Sequence, residues 1–132
     1  MRLIGNMEHT SLKEKTFDLS YDKKGFYFLY VREGEEFTTK DHARVVSWIQ
    51  RWHDSKRAPF LVELGYGCTF AEGVLEIITT NPNRISIADA IIVHTYAHTL
   101  TIKFYMKHYL PSTPTNFFEN KDDALAWLRS YL

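Results

Sequence analysis

Two short stretches constrain this chain more than any other feature. Pro59 to Leu64 (Pro-Phe-Leu-Val-Glu-Leu) and Ala88 to Thr95 (Ala-Asp-Ala-Ile-Ile-Val-His-Thr) are of strand length and almost continuously apolar. Successive strand residues point to opposite sides, so such a run needs cover on both faces. That condition is met in a parallel sheet flanked by helices. The segments around the two runs change period accordingly. Thr38-Thr39-Lys40-Asp41 reads as a capping box with Asp in place of Glu, and Val45, Trp48, Ile49 and Trp52 follow at i, i+3, i+4 and i+7. Thr69-Phe70-Ala71-Glu72 reads as a second box. It opens a helix with Phe70, Val74, Ile77 and Ile78 inward, stopped by Asn81-Pro82-Asn83.

A third helix, about Ala97 to Tyr109, is apolar on two sides: Ile102, Tyr105, Met106 and Tyr109 on one, Leu100 and Phe104 on the other. The last unit is a short strand ending in Phe117-Phe118, a cap at Asn120, and a helix with Ala124, Leu125, Leu128 and Leu132 on one stripe. Upstream, Phe17, Leu19 and Tyr21 alternate with Asp18 and Ser20. Asp22 to Gly25 is a turn, and the aromatic run Gly25 to Val31 pairs back as a hairpin. Residues Met1 to Lys15 are polar and weakly patterned, a loose arm ahead of one domain from Thr16 to Leu132.

Strands alternating with helices imply βαβ units. The expected fold class is α/β: a mainly parallel sheet of about five strands with an antiparallel N-terminal hairpin strand. If the parallel strands follow in sequence order, right-handed crossovers put the intervening helices on one face and leave the other without helices of its own. That face, the outer side of the third helix, or both are expected to form a homodimer.

A chain of 132 residues suits a single core, and 16 acidic against 16 basic residues give no net field for nucleic acid or an anionic membrane. No apolar run approaches the roughly 18 residues of a membrane span. Cys68 is the only cysteine, which excludes an intramolecular disulfide and fits a reducing cytoplasm.

Several segments resemble a bacterial family of largely uncharacterised proteins related to the STAS domain, the fold of anti-sigma factor antagonists. They are Ala90-Ile91-Ile92-Val93, Lys103-Phe104-Tyr105, Pro114 to Phe118, and Ala124-Leu125-Ala126-Trp127-Leu128, with the acid-bearing strand Phe60 to Leu64. The resemblance runs from about Phe17 to the C-terminus. It implies a β/α superhelix of four turns preceded by an antiparallel strand. It also implies a regulatory or protein-interaction role without catalysis. Antagonists of that class carry a phosphorylatable serine in an Asp-Ser motif where the helix after the central strand begins. Here that place reads Gly67-Cys68-Thr69-Phe70, and Thr69 is the nearest hydroxyl. Its expected role is an N-cap, with the phospho-switch as the alternative.

Glu63, Cys68, His94 and His98 supply metal-ligand and nucleophile chemistry, but His94 falls at a strand end and His98 near a helix start. They therefore lack the single-face spacing of a zinc pair. No metal or cofactor is expected. A buried Glu63 would need a partner, and Lys103 or Arg44 could serve. The aromatic residues give a further possibility, a pocket for a small molecule or lipid near the third helix, with Tyr105, Leu100 and Phe104 as candidate contacts.

Overall fold

The computed structural model describes residues 10–81 and 84–132. Much of the loose arm expected before Thr16 lies outside that range. The described part of it already belongs to the sheet, because Ser11–Lys13 forms strand β1. Strands β2 (Phe17–Asp22) and β3 (Phe26–Val31) form the expected hairpin, with Phe17 opposite Val31 and Asp22 opposite Phe26. The turn closes through Gly25 N–H, which donates to the Asp22 carbonyl at 2.8 Å, with Gly25 at a φ of 107°.

Helix α1 (Thr39–His53) starts on the capping box read from the sequence. Asp41 N–H donates to the Thr38 hydroxyl, and Thr38 N–H donates to the Asp41 carboxylate. Then come β5 (Ala58–Leu64), α2 (Val74–Thr80), β7 (Ser86–Ile92), α3 (Tyr96–Tyr109), β8 (Thr115–Phe118) and α4 (Lys121–Leu128). Two dipeptide strands, β4 (Glu36–Phe37) and β6 (Thr69–Phe70), pair with each other outside the main sheet.

The main sheet has six strands in the order β1-β2-β3-β5-β7-β8. Its first two pairings are antiparallel, and β3-β5, β5-β7 and β7-β8 are parallel. The α/β class and the mainly parallel sheet expected from the two apolar runs are therefore present, with the first run in β5 and Ala88 to Ile92 of the second in β7. One more strand is present than the sequence suggested.

Burial follows the strand alternation. Tyr27, Leu29, Val31, Phe60, Leu64 and Ile91 face one way and pack against Val45, Trp48 and Ile49 of α1, Val74 of α2 and Ile102 of α3. Phe26, Leu61, Ala90 and Ile92 face the other way and meet Ala124 and Leu128 of α4. The second face thus has a helix of its own, contrary to the expectation of an uncovered face. Helix α4 follows the last parallel strand and need not cross over to another, so it is free to fold back across the far side.

The second capping box is not a cap. Thr69 N–H donates to the Glu35 carbonyl and Ala71 N–H to the Phe37 carbonyl, at 3.0 and 2.9 Å. The backbone donors a cap would satisfy are already used in the β4-β6 ladder. Phe70 accordingly lies in a strand against Phe37, and α2 begins only after Gly73, which gives no side-chain cap bond.

The turn after β5 is not simply flexible. A Cβ at Gly65 would lie 2.6 Å from the Val31 carbonyl oxygen and 2.7 Å from Glu33 N, both backbone atoms. Gly65 is there because two backbones touch. Gly65→Ala is expected to lower stability by about 1–3 kcal/mol through forced backbone displacement, read as a lower urea midpoint at unchanged slope.

Candidate functional site

The candidate polar residues divide between the two faces of the sheet. Glu63 and His94 lie toward the face that carries α4, near the C-terminal ends of β5 and β7. Glu63 Oε2 and His94 Nε2 are 2.8 Å apart, and the Tyr66 ring stacks on His94 with centroids 5.2 Å apart. The partner of Glu63 is therefore His94, not Lys103 or Arg44. Glu63 and Ile92 are in register across the two strands, which brings a side chain two residues on within reach. Arg44 instead meets Glu14 at 2.9 Å.

Cys68 and His98 lie on the other side, in the core beneath α3. His98 Nε2 donates to the Cys68 carbonyl at 2.8 Å and lies 3.6 Å from the thiol. Burial pushes the Cys68 thiol up to about 11. At neutral pH it is a protonated thiol and a poor nucleophile. Glu63, Cys68 and His94 do not converge, and among the described residues no group of three metal-binding side chains forms. Thr69 is exposed, and α2 starts five residues beyond it. Thr69 is therefore not the residue at the α2 N-terminus, which is Gly73.

Two features remain. The first is a cavity of about 130 Å³ between the sheet and helices α1 to α3. Its walls are almost wholly apolar, with Leu29, Val62 and Ile91 from the sheet and Ile49, Ile78 and Ile102 from the helices. Tyr105 also lines it from α3. Protein interiors hold few voids larger than a water molecule.

One end of the cavity is polar. Arg84 and Asp89 form an ion pair there, with side chains only 12% and 13% exposed. Ser86 Oγ lies 2.5 Å from the second Asp89 oxygen. The Arg84 Nη atoms also donate to the Ile78 carbonyl at 2.7 Å and to Thr113 Oγ1 at 3.0 Å. Arg84 Nε is buried and has no acceptor among the described residues. Burial raises the Asp89 carboxyl above its ordinary range, with the Arg84 charge and the Ser86 hydroxyl pulling the other way. Burial, and then the Arg84 charge, hold the nearby His42 below its usual pKa.

The second feature is the outer side of α3. Tyr96, Leu100 and Phe104 repeat at i, i+4 and i+8 and are 76%, 48% and 54% exposed. The two apolar sides read from the sequence therefore separate cleanly. Ile102 and Tyr105 are buried, and Leu100 and Phe104 face out.

This arrangement, a sheet with an antiparallel hairpin at one edge, parallel strands in sequence order and helices on both faces, is the STAS-like fold. An uncharacterised protein of the DUF3478 family from Shewanella loihica PV-4, with a SpoIIAA-like fold, superposes with a TM-score of 0.55 at 15% identity. The match covers 85% of this chain and 91% of that one. The chain itself belongs to the DUF7793 family, a domain of unknown function, whose profile matches residues 20–132. Among curated proteins none matches the sequence. Among the described residues no helix is long and apolar enough to cross a membrane.

Sequence reasoning missed Arg84 and Asp89. The signal was available, since Asp89 is a lone carboxylate in an apolar strand, the property that singled out Glu63.

Proposed function

We propose that this domain is a non-catalytic interaction module of a regulatory kind, which docks a second copy of itself through α3. The exposed Tyr96-Leu100-Phe104 stripe carries the reading. A contiguous apolar face on a surface helix is the usual mark of an interface. Lys103 and Lys107 share that face by helical spacing, and the neighbouring helix α2 carries Glu76 with Glu72 just before it. A two-fold contact can set these charges opposite one another, which suits a self-complementary interface. The balanced net charge gives no support to a nucleic-acid partner. The division of Glu63-His94 and Cys68-His98 between the two faces supports a role without catalysis.

Light scattering at micromolar concentration should give twice the 15.5 kDa chain mass, and Phe104→Glu should return it to the monomer mass. A monomer at tens of micromolar, with Phe104→Glu changing neither mass nor solubility, would remove the basis for this reading.

The cavity favours a second reading, a small-molecule-binding module with its pocket beneath the third helix. The two readings are compatible, since α3 presents Tyr105 to the cavity and Phe104 to the outside.

A further inference from the structure

We propose that the cavity beneath α1, α2 and α3 takes a neutral molecule of about benzene's size bearing one hydrogen-bond acceptor, which Arg84 Nε holds. The proposal rests on the second reading above and adds the chemical class of the ligand.

Size comes first. An engineered apolar cavity of ~150 Å³ in another protein accepts benzene, and the volume here is about 130 Å³. The apolar walls exclude a charged ligand, which would lose its hydration without return. The polar end then sets the remaining chemistry. A guanidinium offers donors only. The Arg84 Nη atoms are engaged by Asp89, Ile78 and Thr113, and among the described residues nothing accepts from Nε. A ligand must therefore bring an acceptor. Asp89 already balances the Arg84 charge, so a carboxylate would add a second negative charge beside the first, whereas a neutral acceptor adds none. Asn81, Arg84 and Ile85 also line a depression on the outer surface. The polar end of the cavity thus lies next to that depression.

The test uses two isosteres, benzene and pyridine, titrated into the full chain at pH 7.5 and followed by the amide shifts of Val62, Ile91 and Ile102. Pyridine is neutral at this pH and differs from benzene by one acceptor. Transfer into an apolar cavity without a donor disfavours pyridine by about tenfold or more. Both probes are expected to bind, pyridine at least as tightly as benzene. In Arg84→Lys, which keeps the charge beside Asp89 but loses Nε, benzene affinity should stay within about twofold while pyridine weakens about tenfold. Should that variant fold poorly, Arg84→Met with Asp89→Asn removes the donor without leaving a lone charge, and the same split is expected. Benzene binding with pyridine markedly weaker in the native chain would overturn the ligand class and leave the cavity reading standing. Equal loss of both probes in a folded variant would do the same. Binding of neither probe at millimolar concentration would overturn both.

Discussion

Replacing Arg84 with methionine is expected to lower stability by ~3–5 kcal/mol at pH 7. The side chain does not contribute that much as a contact. Its removal leaves the buried Asp89 carboxylate with the Ser86 hydroxyl but no counter-charge. The loss should depend on pH in a definite direction. Asp89 titrates above its ordinary range in the folded protein, so its protonated form is the one folding favours. Stability from this group is fully present below the unfolded carboxyl value of about 3.9 and is lost as pH rises through the folded value. Without the Arg84 charge the folded value climbs further, so the deficit should be largest near neutrality and shrink on acidification. Urea unfolding at pH 7 and pH 5 reads this directly. Asp89→Asn added to the Arg84 variant should restore more than half of the loss. An equal deficit at both values, with no recovery from Asn, would show that Arg84 acts through Ile78 and Thr113 instead.

The second large effect is expected at Trp48. This side chain is 1% exposed at the centre of the α1 face, and its ring lies 4.7 Å from that of His53. Trp48→Ala should cost about 3–5 kcal/mol, a large share of the roughly 5–15 kcal/mol that holds a domain of this size together. Trp48 is packed within the larger core cluster, so its neighbours are held by their own contacts and have little freedom to close over the gap. Thermal and urea unfolding should both show the drop. A loss under about 1 kcal/mol would mean that α1 can repack over the gap.

The parts of the fold that declared themselves in the sequence did so through physics local to the segment. The Thr38-Asp41 box, the Val45-Trp48-Ile49 stripe, the Asn120 cap and the apolar character of Pro59 to Leu64 depend on neighbours a few residues away. Thr69 misled for the converse reason. Thr69-Phe70-Ala71-Glu72 meets the local rule for a cap, but its backbone donors are claimed by Glu35 and Phe37, far off in sequence. Gly65 hid its role in the same way, because the atoms that forbid a Cβ belong to the end of β3 and the loop after it. The candidate site was half visible. Tyr105, Leu100 and Phe104 stood out because α3 had more apolar surface than one side could bury. The Arg84-Asp89 pair did not, since its ends belong to a loop and a strand whose meeting no periodicity records. The pairing of Glu63 with His94 needed the strand register, which the two apolar runs leave open.

The strand order has a consequence in time as well as in space. Each strand of the main sheet pairs with the main-sheet strand that precedes it. A chain emerging from the N-terminal side can therefore add every new strand to an edge that already exists, with at most one helix to thread at each step. The hairpin closure is short and reached quickly, whereas each parallel pairing must wait for a whole crossover and comes more slowly. The far face is different. Phe26, Leu61, Ala90 and Ile92 are laid down in turn, but the residues that seal them, Ala124 and Leu128, arrive last. Growth on one side is incremental and closure on the other is a single late event. Until α4 docks, the nascent sheet carries a bare apolar flank, the kind of surface that chaperones recognise and that crowded chains share by mistake.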